Sequence, residues 1–199
     1  MDYEYDVFLS YPHGYIEEWL KQHFLKHFEW HLTNALGRTP IIFIDREGIS
    51  SGDSWPERLK KALACSRCLV PIWAIPYFES KWCRYECQML LKRERQLKYR
   101  TSKNPGGLIH PVNVGDGDNF PDFAKAIQYF DCRDYMLLGD GFTNSPIYTD
   151  FQKKIGDWTP QVALSIQRTP SWKKQWLDAP LVELPEFQEP EFSLPTLAR

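Results

Sequence analysis

Tyr5-Asp6-Val7-Phe8-Leu9-Ser10-Tyr11 lies near the start of the chain and indicates how the rest is organised. Its β-branched and aromatic residues predict a short strand over 5–10, and Pro12-His13-Gly14 predict a loop directly after it. Over 15–36, apolar residues recur at helical spacing, and the helix should end at Gly37 because glycine is a common C-cap residue. The apolar positions are Ile16, Leu20, Phe24, Phe28 and Leu32.

Strands and helices continue to alternate after this first unit. The apolar run 41–44, flanked by Pro40 and Asp45, predicts a central strand buried on both faces of a parallel sheet. Further strands are predicted over 68–74, 108–114 and, at the sheet edge, 127–132, and further helices over 55–63, 79–98 and 148–164. This alternation predicts a doubly wound α/β fold, in which a parallel sheet of about five strands carries helices on both faces.

The strand ends are where a functional site is expected. In doubly wound sheets, ligands bind beyond the carboxyl ends of the strands. The relevant loops follow Ser10, Ile44 and Ala74. The second of these, 45–54, is rich in glycine, serine and charged residues, which predicts a mobile loop that leads into the second helix.

Length and composition predict one domain followed by a tail. With 199 residues and 43% apolar residues, the chain can bury a core of its own. We place the domain at 1–166 and the tail at 167–199, because prolines recur through the tail and prevent a helix. The tail repeats Pro-Glu-Phe at 185–187 and 190–192. It is either a loosely packed terminus or a docking peptide for a partner protein.

Charge and hydropathy limit the partners. The net charge is −2 and the basic residues are spread along the chain, so nucleic acid is not expected as a partner. The acidic start does not fit a secretory signal, and no segment approaches the roughly 20 apolar residues that span a bilayer. We therefore expect a cytoplasmic protein without membrane contact. Its five cysteines, an odd number, favour reduced thiols.

Two groups of residues have a superficial likeness to metal sites. Cys65-x-x-Cys68 with Cys83 and Cys87 has zinc-like spacing, but Cys68 opens an apolar strand and Cys83 lies on a predicted helix, which favours small buried thiols. Three histidines also recur along the first helix without a carboxylate to complete a site: His23, His27 and His31. Neither a Gly-x-Gly-x-x-Gly motif nor a P-loop is present, so no metal or bound cofactor is expected.

Three segments of the chain, taken in the order in which they occur, are the most informative about its family. They are the segment 5–11, Phe43-Ile44-Asp45 with the Gly-rich loop after it, and Trp82-Cys83-Arg84-Tyr85-Glu86. Together they resemble the TIR family over about residues 3–166. The third segment is the most specific, because TIR domains carry a Trp-Cys-x-x-Glu pattern on their third helix. The resemblance implies a flavodoxin-like α/β fold and points to the NAD-cleaving branch, with a bacterial source.

The resemblance also implies roles for individual residues. Glu86 matches the catalytic glutamate of the enzymes that cleave NAD at the nicotinamide bond. Trp82 matches the aromatic residue one turn before it. Ser10, Tyr11 and Asp45 fall at the family's pocket-lining loops, where they would bind the substrate. NAD would therefore be a substrate and not a resident cofactor.

The family's assembly is implied as well. The loop 45–54 corresponds to the BB loop, which gates the pocket and contacts neighbouring subunits. Homotypic self-association is therefore expected, together with an upstream sensor or a downstream effector protein. Pro12 and His13 depart from the more usual polar or basic residues after the first strand, which leaves direct contacts from this loop to NAD open.

The chemistry of the motif fits this expectation independently of the resemblance. Trp82 and Glu86 are four residues apart on a predicted helix, so they share one face. An aromatic side chain and a carboxylate suit a cationic planar ligand. The nicotinamide of NAD is positively charged and leaves as a neutral amine, so it needs no general acid, unlike the leaving group of an ordinary glycosidase. A single glutamate is therefore chemically sufficient.

Three functional hypotheses remain open on the sequence. The first is an NAD glycohydrolase or ADP-ribosyl cyclase that acts in immune or antiphage signalling, with either a linear or a cyclic product. The second is a non-catalytic TIR scaffold that signals by homotypic assembly. The third is an enzyme similar to nucleoside 2-deoxyribosyltransferases, which share the α/β plan and use a glutamate on ribose.

Overall fold

The computed structural model of the chain describes residues 2–44 and 55–177. In these residues the strands are β1 (Tyr5–Ser10), β2 (Ile42–Ile44), β3 (Ser66–Trp73), β4 (Val112–Asn113) and β5 (Phe130–Asp131). The α-helices are α1 (Tyr15–Trp19), α2 (Leu25–Leu36), α3 (Trp55–Ala64), α4 (Ile75–Glu79), α5 (Lys81–Gln96), α6 (Asp122–Lys125), α7 (Asp140–Thr143) and α8 (Pro146–Arg168). A π-helical segment, Leu20–Phe24, joins α1 to α2.

The five strands form one sheet in the order β2-β1-β3-β4-β5, and every neighbouring pair is parallel. This topology confirms the predicted flavodoxin-like, doubly wound plan. The order reverses at β1, because β2 lies on one side of it and β3 on the other. In sheets of this order, the ligand crevice opens beyond the carboxyl ends of β1 and β3.

Two apolar cores cover the two faces of the sheet. Successive side chains of a strand point to opposite faces, so Val7 and Leu9 join one core and Phe8 joins the other. The first core contains buried residues of α1, α2 and α8, among them Phe28. The second contains buried residues of α3, α4 and α5, among them Leu90. Helices therefore cover both faces, as predicted.

The first long helix matches the sequence prediction. It continues from Tyr15 to Leu36 through α1, the π-helical segment and α2. Gly37 ends it with φ 70°, and its N–H donates to the carbonyl of Thr33 at 2.9 Å. A left-handed backbone of this kind favours glycine at the end of a helix.

The position of the second strand corrects the prediction for 41–44. In the described part of the chain β2 pairs with β1 alone and forms an edge of the sheet. Ile41 is 56% exposed, and Ile42 and Ile44 are only partly buried. A short apolar run does not distinguish a central strand from an edge strand, because both bury side chains against helices.

Two other elements differ in extent from their predictions. The helix predicted over 79–98 corresponds to α5, which begins only at Lys81 because Ser80 is extended and caps it, and the short α4 before Ser80 was not predicted. The strand predicted over 108–114 is reduced to β4, since Pro111 has no N–H with which to extend the ladder. Ile109 keeps only an isolated bridge to Leu69. β5 lies at the other edge of the sheet, as predicted.

The packed domain continues past the boundary expected at 166. α8 ends at Arg168, and the next residues return to the domain surface. Trp176 is buried, and the guanidinium carbon of Arg93 lies 4.4 Å from the centre of its ring. The indole N–H of Trp172 donates to the carbonyl of Ala64 at 3.0 Å. The Pro-Glu-Phe units lie outside the described residues.

Within 2–44 and 55–177, every helix is too short or too polar to cross a bilayer.

Candidate active site

The side chains of Ser10 and Glu86 meet at the carboxyl end of β1. Ser10 is the last residue of the strand, and its hydroxyl donates a hydrogen bond to Oε2 of Glu86. Ser10 is 1% exposed and Glu86 is 3% exposed. The strand order reverses at β1, so this contact lies where a doubly wound sheet presents its ligand crevice. The structure thus brings together two of the residues singled out in the sequence.

The position of Glu86 follows from how α5 begins. The Ser80 hydroxyl accepts a hydrogen bond from the Cys83 N–H at 3.3 Å, which fixes the first turn of the helix. On α5, the residues that face the sheet are buried and follow the helical repeat of three or four positions. They are Cys83, Glu86, Cys87, Leu90 and Glu94. Glu86 therefore occupies a position where an apolar residue would be usual. A carboxylate is costly there unless polar groups bond to it.

Tyr77, which the sequence reasoning did not single out, adds a third polar group. It lies on α4, the short helix that follows β3, and its hydroxyl is 3.0 Å from Oγ of Ser10. Its ring is fully buried, and burial raises the pKa of the Tyr77 hydroxyl well above its usual value. Tyr77 therefore remains a protonated hydrogen-bond donor across the physiological pH range.

A sequence signal for Tyr77 did exist. It comes three residues after Ala74, in the segment that follows the third strand, and the carboxyl ends of the strands were already the expected location of the site. Pro76 marks the first turn of a short helix, which places the tyrosine directly above the strand end.

The two aromatic candidates, Tyr11 and Trp82, lie close in the chain to Ser10 and Glu86. Tyr11 follows Ser10 directly and is 6% exposed, with its ring edge-on to that of His13 at 6.2 Å. Trp82 is half-buried one turn before Glu86 on α5, and its ring packs edge-to-face on Tyr85 at 6.0 Å. Tyr11 belongs to the first core and Trp82 packs against the second, so the two aromatic side chains lie on opposite faces of the sheet. Their substrate-binding roles stay predictions.

Asp45, the remaining candidate, lies outside the described residues, and so does the loop 45–54. Its expected role in binding the substrate therefore stays a prediction from the resemblance.

A second buried carboxylate on α5, Glu94, has a plainly structural environment. It is 2% exposed, and Oε1 accepts hydrogen bonds from the N–H groups of Leu108 and Ile109 at 2.5 and 3.0 Å. Oε2 accepts from Nε of Arg100 at 2.7 Å. Glu94 thus joins the end of α5 to the segment that leads into β4. Glu86 bonds instead to a strand end at the ligand-binding edge.

The five cysteines of the chain, and the histidines of the first helix, have environments typical of packing. All five cysteines are buried thiols, and burial raises the pKa of Cys68 and Cys87. His23 is buried between the rings of Phe142 and Tyr148 at 5.1 and 5.7 Å. The part of the chain that the structure describes contains no cluster of three His, Cys, Asp or Glu side chains that could hold a metal ion.

A cavity of about 470 Å³ lies away from this site. Its lining includes residues that precede β4 and β5, together with Lys154 and Trp158 of α8. It therefore opens toward the amino ends of these strands, opposite the edge where ligands of doubly wound sheets bind.

Comparison with known proteins gives one decisive match. A family model described as the TIR domain matches residues 7–142, which is more than half of the 199 residues. The crystal structure of the TIR domain of the Toll-related receptor TRR-2 from Hydra magnipapillata is 16% identical, covers 76% of this chain and 98% of its own, and has a TM-score of 0.48. The TIR domains of the activated Roq1 resistosome, which directly recognises the pathogen effector XopQ, are 21% identical, cover 83% and 85%, and have a TM-score of 0.42. No curated protein matches in sequence. On the family model, the chain belongs to the TIR domain family.

Proposed function

We propose that this TIR domain cleaves the nicotinamide–ribose bond of NAD, as a glycohydrolase or an ADP-ribosyl cyclase, with Glu86 as the catalytic carboxylate. The observation that carries the proposal is the position of Glu86. Its carboxylate is bonded to Ser10 at the carboxyl end of β1, where the strand order reverses. Ligands of doubly wound sheets bind at this edge.

The chemistry requires little more than a well-placed negative charge. As the bond to nicotinamide breaks, positive charge develops on the ribose, and a preorganised carboxylate stabilises it. The leaving nicotinamide is neutral and needs no proton. Glu86 would accept hydrogen bonds from the ribose hydroxyls, and Trp82, one turn away, would offer its ring to the cationic nicotinamide. Water as the acceptor gives ADP-ribose, whereas the adenine of the same molecule gives a cyclic product.

A non-catalytic scaffold is the alternative, and one observation favours it. Glu86 is 3% exposed and already bonded to Ser10, as a purely structural carboxylate would be. In that case the domain would signal by homotypic assembly, through the loop 45–54, without turning over NAD. Substitution of Glu86 would then leave signalling intact.

Nicotinamide release from NAD by the purified protein distinguishes the enzyme from the non-catalytic scaffold. Wild type is compared with Glu86→Gln and with Glu79→Gln, which makes the same change at an exposed carboxylate seven positions earlier in the chain. We expect Glu86→Gln to slow release by about a hundredfold or more, by analogy with the loss of one transition-state contact, and Glu79→Gln to match wild type. Near-normal release by folded Glu86→Gln refutes the catalytic role.

Assembly is part of the same proposal. TIR enzymes often build their site across two subunits, so the rate per molecule should rise with protein concentration. The assay therefore includes high protein concentrations, and mass spectrometry of the nucleotide distinguishes ADP-ribose from its cyclic form. If neither variant nor wild type releases nicotinamide when assembled, the scaffold is favoured. The signalling context we infer is immunity or antiphage defence, with a sensor or effector protein as partner.

A further inference from the structure

Tyr77, Ser10 and Glu86 form a buried chain of hydrogen-bonding groups that comes from three separate elements. The hydroxyl of Tyr77 is 3.0 Å from Oγ of Ser10, and Oγ of Ser10 bonds to Oε2 of Glu86. We propose that Tyr77 is a positioning residue for Glu86 that acts through Ser10. This inference rests on the proposed function for its catalytic meaning, but the hydrogen-bond chain itself is open to a test that needs no turnover.

The direction of the chain follows from the number of protons available. A serine hydroxyl has one proton to donate and two lone pairs that accept. An ionised Glu86 only accepts, so the single proton of Ser10 points to the carboxylate. The contact between Tyr77 and Ser10 must then use the proton of Tyr77, which burial of that side chain retains on the oxygen. Tyr77 thus donates to Ser10, and Ser10 donates to Glu86.

Tyr77 is held in place by the backbone around it. Its N–H donates to the carbonyl of Ala74 at 3.0 Å, and its ring packs edge-on against Phe78 at 5.4 Å. The loop after β4 approaches the same turn closely, since a Cβ on Gly115 would lie 3.0 Å from Cα of Ala74. The Tyr77 ring is fully enclosed and has little freedom to turn its hydroxyl away from Ser10.

Without Tyr77, the Ser10 hydroxyl loses the group that fixes its rotation. Its proton is then free to point elsewhere, and Glu86 loses a fraction of its hydrogen bond. Hydrogen bonds in a dry interior strengthen their neighbours, so the loss reaches Glu86 although Tyr77 is one group removed. We expect Tyr77→Phe to raise the pH midpoint at which Glu86 titrates by about half a unit, which corresponds to a roughly threefold change in the protonation equilibrium.

The test is a carbon-13 NMR titration of protein labelled at the glutamate side-chain carboxyls. The Glu86 signal is identified by its absence in Glu86→Gln. Wild type is compared with Tyr77→Phe, Ser10→Ala and the double variant. Tyr148→Phe is the matched control, because it removes a buried hydroxyl that contacts His27 at 2.9 Å in the other core.

The expected result has two parts. Tyr77→Phe raises the Glu86 midpoint while Tyr148→Phe does not, and in the Ser10→Ala background Tyr77→Phe adds nothing further, because the two act as one unit. An unchanged midpoint in folded Tyr77→Phe overturns the proposal. A shift that persists in full without Ser10 overturns the relay through Ser10.

Kinetics give the catalytic counterpart. For Tyr77→Phe we expect kcat to fall about three- to tenfold, the usual effect of one neutral hydrogen bond, with KM little changed and the acid limb of the pH profile moved to higher pH. Equal kcat and an unmoved profile, alongside a large loss in Glu86→Gln, contradict a positioning role while leaving the proposed function standing. If the wild type does not cleave NAD at all, the proposed function fails, and the NMR titration still decides whether the hydrogen-bond chain exists.

Discussion

Replacing Glu94 with glutamine should damage stability, whereas the same replacement at Glu86 should damage activity. Both carboxylates are buried on the stripe of α5 that faces the sheet. Glu94 accepts hydrogen bonds at Oε1 from two backbone N–H groups and at Oε2 from Arg100. Nη2 of Arg100 also donates to Oε1, at 3.1 Å. Glutamine has one accepting oxygen and one donating NH₂, so it cannot accept from all four donors. In one orientation the NH₂ group faces Nε of Arg100, and in the other it faces the two backbone N–H groups and Nη2 of Arg100.

The size of the effect follows from this geometry. Removing one partner of a buried ion pair costs about 3–5 kcal/mol. The side chain of Arg100 is 29% exposed, and water partly solvates it after the change, so the lower end applies. We therefore expect Glu94→Gln to lower the free energy of unfolding by about 3 kcal/mol, which is about 10 °C in Tm for a domain of this size. Glu86→Gln should lower the free energy of unfolding by less than Glu94→Gln does, because its amide oxygen still accepts from Ser10.

Urea unfolding followed by tryptophan fluorescence measures both variants, with Glu79→Gln as the control for charge removal. Nicotinamide release is then compared per folded molecule, below the melting range of the weaker variant. We expect Glu94→Gln to retain wild-type turnover under these conditions. A stability loss below about 1 kcal/mol for Glu94→Gln would show that the contacts of its carboxylate do not hold the segment before β4, and would refute the reasoning.

Three further predictions concern other parts of the molecule. Asp6→Asn should destabilise the protein at pH 7, and the difference in stability from wild type should shrink in acid. Burial alone would raise the pKa of Asp6, but hydrogen bonds from Arg38 and the Ile41 N–H lower it. The stabilising effect of the Asp6 carboxylate is therefore lost as pH falls through that lowered pKa. Urea unfolding at a series of pH values checks this, and a constant difference contradicts it. Trp176→Ala should make the segment after Arg168 sensitive to protease and lower the free energy of unfolding by about 3 kcal/mol or less, because the loss cannot exceed the cost of releasing the segment. Limited proteolysis with mass mapping measures it, and unchanged protection argues against the packing seen for Trp176. Gly115→Ala should lower stability by about 1–3 kcal/mol and reduce turnover, because the new Cβ meets the backbone of Ala74 and displaces the turn that carries Tyr77. Unchanged melting and turnover together would contradict it.

Local sequence patterns predicted the individual strands and helices better than they predicted which strands lie side by side in the sheet. The strand of Tyr5–Ser10 and the helix end at Gly37 depend on residues close in sequence, and both match the structure. Whether 41–44 is central or at an edge depends on which strands lie beside it, and that is a tertiary property. The start of α5 after Ser80 had a local signal, because serine before a helical run is a strong N-cap residue.

The candidate site was predictable in its residues but not in its contacts. The Trp-Cys-x-x-Glu motif singled out Glu86, and the strand end singled out Ser10, yet their hydrogen bond joins positions far apart in the chain. Tyr77 was missed because a tyrosine directly after a strand is usually interpreted as a residue of the apolar core. The contact between Arg93 and Trp176 also has no local signal, because prolines around the tryptophan suggested a loose tail.

The two ends of β1 carry different duties, and this has a consequence for how the domain can change. Asp6 binds Arg38 near the amino end, and Ser10 holds Glu86 at the carboxyl end. They are four positions apart along the strand, a distance of about 13 Å. Substitutions that tune thermal tolerance near Asp6 therefore act far from the contact between Ser10 and Glu86. A protein engineer, or a lineage under selection at a new temperature, has one end of the strand to adjust while the Ser10–Glu86 contact at the other end stays as it is.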